Sequence, residues 1–297
     1  PGCQMWRRVP HNSPMGPRIL FLLLLAGLQS CTSSGKPDDV PLELVDVYME
    51  FPAQAPLSAR LIITTNRRAD VMVQVSGDER NWTATPEMVT VEPGSPAAVP
   101  LVGGRALHTY TVTVTATDPT SVQSRSHVLL WEVSPLPSDA PPVEVVLHAR
   151  SASPGFTVFS VLRTHEQAMD GAWGYLVGVD ESGEIVWLVR TDTMVTAFER
   201  LSNGHIFAIL GRYKAIEMDM LGAALQTWDA RDLGVDSFHH DMAQLPSGNV
   251  LVLSSEIRTV TGYPDGNTHR VVGDVLVELS RDEGVVGTLS LLDVLDP

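Results

Sequence analysis

Leu201-Ser202-Asn203-Gly204-His205-Ile206-Phe207 returns 44 residues later as Leu245-Pro246-Ser247-Gly248-Asn249-Val250-Leu251. Each stretch puts a Gly where a tight turn wants positive φ and then opens an apolar strand. A second element joins an acidic residue, a turn Gly and an apolar strand. It occurs at Asp180-Glu181-Ser182-Gly183-Glu184-Ile185-Val186-Trp187, at Asp219-Met220-Leu221-Gly222 running on to Trp228, and at Asp282-Glu283-Gly284-Val285-Val286. Gly183 to Gly222 spans 39 residues and Gly222 to Gly284 spans 62, the longer gap holding the Gly- and Asp-rich insert 261–267. A period of about 40–45 residues with about four strands per unit is the pattern of a β-propeller. No helical periodicity competes with it. Propellers close with about four to eight blades, and residues 145–297 hold roughly three and a half. This region is therefore expected to be an incomplete propeller, and the chain a fragment of a longer protein.

Residues 42–135 carry short alternating strands rich in β-branched side chains: Leu61-Ile62-Ile63-Thr64-Thr65, Val71-Met72-Val73-Gln74-Val75, Tyr110 to Ala116 and His127-Val128-Leu129-Leu130-Trp131. Strands of this kind with frequent turns predict an immunoglobulin-like or fibronectin-III-like β-sandwich. Leu107 to Val114 resembles the penultimate strand of fibronectin type III domains, whose Tyr enters the core. The Pro-rich stretch 136–144 cannot be an interior strand, because Pro fixes φ and removes a donor. It reads as the linker to the propeller at 145–297. The fold class is thus all-β throughout.

The N-terminus reads as an export signal over residues 1–30. Arg7, Arg8 and Arg18 precede the ten-residue apolar run Ile19 to Leu28, which is too short to span a bilayer. Leu28-Gln29-Ser30-Cys31 resembles the bacterial lipobox, in which the Cys is lipidated and becomes the mature N-terminus; a plain signal peptide is the alternative. Cys3, the other of two cysteines, lies upstream, so a chain starting at Cys31 has no thiol left for a disulfide. Residues 31–41 read as a polar tether. Thr32 stands where an Asp often retains lipoproteins at the inner membrane, so the resemblance implies an exported, periplasmic or cell-surface protein anchored by lipid to the outer membrane.

Over 297 residues, Lys plus Arg number 20 and Asp plus Glu 35, for a formal charge of −15. That balance argues against a nucleic-acid binder, which usually presents a basic face. The sequence contains no Walker A stretch, no dinucleotide-binding Gly pattern and no Gly-x-Ser-x-Gly elbow.

One dense constellation remains: Phe238-His239-His240-Asp241, separated by Met242-Ala243-Gln244 from the second copy of the repeat. The corresponding positions of the first copy are Val195, Thr196 and Ala197, so blade structure does not demand His-His-Asp. Side chains alternate along a strand, so His239 and His240 should point to opposite faces unless a bulge intervenes. One is expected in the central channel and the other between blades, with Asp241 a candidate to orient an imidazole. Three consecutive residues are poor ligand spacing, and no metal site is expected. His205, standing where the other copy has Asn249, reads as structural. Trp173, Trp187 and Trp228 read as packing between blades, and His165, beside Glu166, as a loop residue.

From Tyr175 to Pro297 the sequence resembles the bacterial arylsulfotransferases, which do not use PAPS. The residues that carry the resemblance are Phe238-His239-His240-Asp241, Leu245 to Asn249, the Asp-x-x-Gly turns and the closing Leu291 to Pro297. It implies a six-bladed propeller and a ping-pong reaction without a cofactor. A phenolic sulfate ester gives its sulfuryl group to a histidine, and a phenolic acceptor then takes it. The resemblance implies that the nucleophilic His and its Asn and Arg partners lie in later blades. His240, with His239 as the alternative, would match the family's early channel His and serve as acid–base help or charge stabilisation. A non-catalytic lipoprotein propeller acting as a scaffold is the competing reading.

Overall fold

Alternation along β3 (Ala69–Gly77) and β7 (Thr109–Thr117) decides the first layer pair. Val71, Val73 and Val75 turn inward while Met72 and Gln74 turn out, and Tyr110, Val112, Val114 and Ala116 do the same on β7. In the computed structural model, which describes residues 40–77, 80–85, 88–146, 155–162, 173–262 and 264–295, these strands form the antiparallel sheet β4-β3-β7-β8. Its remaining members are β4 (Arg80–Thr83), β8 (Ser124–Glu132) and β5 (Val89–Val91), which pairs with the start of β3. A second sheet runs β1-β2-β6, from β1 (Leu44–Glu50), β2 (Ala59–Thr65) and β6 (Ala97–Leu101). Tyr110 is fully buried. Its hydroxyl accepts from Arg105 N at 3.1 Å and Arg80 Nη2 at 2.6 Å, so the one polar atom of the ring is satisfied inside the core.

Three blades follow. The first has β9 (Thr157–Leu162), β10 (Gly174–Val179) and β11 (Ile185–Thr191); the second has β12 (Val195–Arg200), β13 (Ile206–Leu210), β14 (Lys214–Met218) and β15 (Ala224–Asp229). The third has β16 (His239–Gln244), β17 (Val250–Val260), β18 (His269–Ser280) and β19 (Gly284–Ser290). Within each blade consecutive strands pair antiparallel. β12 touches both β9 and β16, so the first strand of each blade is the inner one. The three blades make an open arc. The only helical element among the described residues is the 3-10 turn Leu291–Asp293.

The repeated residues act as the repeat implied. Gly204 and Gly248 hold φ of 85° and 90°, and their amides close equivalent turns onto Leu201 O and Leu245 O. Asp180 and Asp219 each accept two backbone amides of the turn that follows them. The tryptophans tie blade to blade: Trp187 Nε1 donates to Met220 O at 2.7 Å, and Trp228 Nε1 donates to Ser280 O at 3.2 Å. Trp173 differs. It packs edge-on against Tyr175 beneath the Arg190 guanidinium.

The sandwich core runs on into the first blade, where Tyr175, Val177 and Leu188 join the cluster around Val73 and Val112. Ions stitch the same boundary. Asp180 Oδ2 accepts from Arg105 Nη2 at 2.7 Å and lies 3.6 Å from Arg80 Nη1. Asp139, within the Pro-rich stretch, accepts from the Tyr175 hydroxyl at 3.0 Å. Burial and that carboxylate push the Tyr175 hydroxyl up to about 12.

Candidate active site

The inner strand β16 does not start as a regular strand. His239 pairs with Leu253 and Met242 with the adjacent Val252, so His240 and Asp241 are extra residues in a bulge. Its repeat mate β12 bulges at the same place by one residue, Thr196, between Val195 and Ala197. The third blade therefore enlarges an irregularity that the second already has. His240 sits at φ 61°, a left-handed conformation that costs a side chain with a Cβ roughly 1–2 kcal/mol. Such strain is held by its surroundings and concentrates at functional positions.

The bulge changes what the strand period predicts. The His239 and His240 rings lie 5.0 Å apart at 86°, edge to face, instead of on opposite faces of the sheet. The expected placement on opposite faces does not hold, because positive φ at His240 swings its ring back beside its neighbour. His240 is exposed and His239 half-buried. Both ring nitrogens of His239 are buried and accept or donate no hydrogen bond. Asp241 orients neither ring: its Oδ1 accepts from Met242 N at 2.8 Å, turned back onto its own strand.

A charged group missing from the sequence reading stands nearest. Asp274, on β18, places Oδ1 3.8 Å from His239 Nε2. Around the approach to β16, Ser237 N donates to Ser254 Oγ, Ser255 Oγ donates to Asp236 Oδ2 at 2.6 Å, and Arg212 Nη2 donates to the same oxygen at 3.0 Å. The bonds from Ser255 and Arg212 hold the Asp236 carboxyl below the usual range. These groups meet because β17 and β18 reach beyond their counterparts in the second blade, to 11 and 12 residues against five in β13 and β14. The long spacing in the sequence is this hairpin, with residues 261–262 and 264–267 at its tip.

The other histidine sites are different in kind. His205 Nδ1 lies 2.5 Å from Glu217 Oε1, which also accepts from Asn203 and Arg281. Burial works to raise the Glu217 carboxyl, but these three partners outweigh it and hold it below the usual range. In the third blade Asn249 Nδ2 donates to Glu278 Oε1 at 2.6 Å in the same place, so the His205–Glu217 pair is a blade brace. No group of three or more potential metal ligands occurs among the described residues. His165, Glu166 and Cys31 lie outside the described residues.

The fold and site together define a β-propeller protein with paired imidazoles at the head of an inner strand. The model of the family Arylsulfotransferase (ASST) matches residues 147–297, just over half of the chain. The chain belongs to the arylsulfotransferase family. That membership assigns it, at the level of the family, to sulfuryl transfer between aryl donors and acceptors. A comparison with curated proteins finds no match.

Proposed function

We propose that the protein moves a sulfuryl group from a phenolic sulfate ester to a phenol, without PAPS, through a sulfohistidine. In the first half-reaction the ester S–O bond breaks, a histidine nitrogen bonds to sulfur, and the donor leaves as its phenolate, which takes up a proton. In the second the acceptor phenol oxygen bonds to sulfur, the N–S bond breaks, and the phenolic proton passes to a base. His240 is the group assigned to the sulfuryl oxygens and to that proton, with His239 beside it. The nucleophile is assigned to a further histidine, outside the three blades described. The observation that carries this reading is the strained, doubled bulge that brings two imidazoles together at the inner strand of a family member. A phenol incubated with the full natural chain and 4-nitrophenyl sulfate should become sulfated, as read by mass spectrometry. Hydrolysis of the donor with no sulfated phenol would contradict the proposal.

We also propose export and lipid anchoring through Cys31. Mass spectrometry of the mature N-terminus should find diacylglycerol on the Cys31 sulfur, and an unmodified Cys31 would contradict it. A single acyl chain binds a bilayer only weakly, so stable anchoring requires the several chains of a lipoprotein.

A further inference from the structure

Both ring nitrogens of His239 are buried and unbonded. A buried imidazole in that state calls for a partner, and the sequence offers Asp241. The bulge turns Asp241 away onto Met242 N, which leaves Asp274. In the hairpin register Ser255 faces Asp274 two cross-strand pairs beyond Leu253 and Leu276, on the sheet face that carries His239. The His239 ring reaches along that face to within 3.8 Å of the Asp274 carboxylate. The opposite face of the hairpin is fixed: Arg258 bonds to both Glu256 and Asp293, Ser290 bonds to Glu256, and Leu292 packs over Gly273. Asp274 is therefore presented from a braced strand.

We infer that Asp274, not Asp241, is the positioning residue for this histidine pair: its carboxylate faces the His239 ring from the braced strand and sets that ring beside His240, where both imidazoles meet the sulfuryl oxygens. The inference rests on the sulfotransfer reading and adds a residue to it. Water around the half-exposed Asp274 moderates its pull on the ring. The neighbouring acids are otherwise engaged: Asp241 is turned onto Met242 N, and Asp236 on the approaching loop pairs with Arg212.

The test uses Asp274→Asn and Asp274→Glu in the full natural chain, with His239 followed through its ring resonances. Asp274→Asn should shift the His239 ring resonances while leaving those of His205 in place, and Asp274→Glu, which keeps the carboxylate, should bring them back toward their wild-type positions. kcat for 4-nitrophenyl sulfate should fall several-fold in Asp274→Asn with KM nearly unchanged, and the same substitution in a His239→Ala background should cost nothing further. Unmoved His239 resonances in Asp274→Asn would overturn the pairing whatever the activity. Resonances that move in a protein showing no sulfuryl transfer would keep the pairing but overturn the catalytic purpose given to it. Because Asp274 is exposed and makes no bond to the core, an unfolded variant would itself contradict the role assigned.

Discussion

His240→Ala should reduce transfer from 4-nitrophenyl sulfate to a phenol by about 10²–10⁴, the usual worth of a positioned acid–base group. The loss should fall on kcat more than on KM, because a proton held at the reacting oxygen matters most in the transition state. Stability should hardly change. His240 is exposed, and Ala inherits the same left-handed strain at φ 61°. His240→Gly separates the two properties: it should be equally inactive but more stable by about 1 kcal/mol, since Gly takes positive φ without the Cβ penalty. Activity comes from initial rates and stability from urea midpoints. If His239→Ala abolished turnover while His240→Ala was silent, the two imidazoles would exchange roles. Full activity in both variants would remove the pair from the mechanism.

Asp180→Ala should cost about 3 kcal/mol of stability, the largest loss expected for any single polar substitution at the boundary between sandwich and blade. One oxygen of Asp180 holds its own turn through Ser182 and Glu184 amides, and the other carries Arg105 with Arg80 beyond it. The carboxylate side chain is only 8% exposed, and the arginines are themselves largely covered at 22% and 25%. Its removal takes the carboxylate partner from two guanidinium groups and frees a turn. Asp180→Asn, which keeps the turn acceptor but not the charge, should lose about half as much. The pH dependence follows from the same contacts. Burial alone would raise the Asp180 carboxyl, but Ser182, Arg105 and Glu184 together bring it below its ordinary value of 3.8. A carboxyl lowered in the folded state contributes its full stability above that value. The contribution is lost as pH falls through the folded-state value. The gap between wild type and Asp180→Ala in urea midpoint should therefore be wide at neutral pH and close in strong acid. A gap constant with pH would show that the charge is not what binds the two parts.

How far the residues announced this fold depends on how local each signal is. The Leu-x-x-Gly and Asp-x-x-Gly turns are local, since one φ and one acceptor define each, and both copies fold alike. Trp187 and Trp228 could be read as packing between blades because they recur at equivalent blade positions, whereas Trp173 packs within its own blade. The His-His-Asp cluster was visible as a departure from its repeat, but its geometry was not. Alternation assumes a regular strand, and nothing in Phe238-His239-His240-Asp241 announces a bulge of two residues. Thr196 in the first copy bulges too, yet a lone Thr carries no such mark in a sequence. Asp274 was illegible for a different reason. It lies 35 residues beyond His239, and only the unbroken hairpin register from Val250 to Val260 brings it across. Asp241 stands beside His240 in sequence and contributes nothing to either ring.

The measurement that bears most directly on the account is nitrophenolate release from 4-nitrophenyl sulfate by the full natural chain, with phenol absent and then added in steps. A transferase that parks the sulfuryl group on a histidine should release nitrophenolate slowly alone and faster with each increment of phenol, and its double-reciprocal plots should run parallel. A rate that phenol leaves unchanged, or no release at all, would contradict the sulfotransfer account.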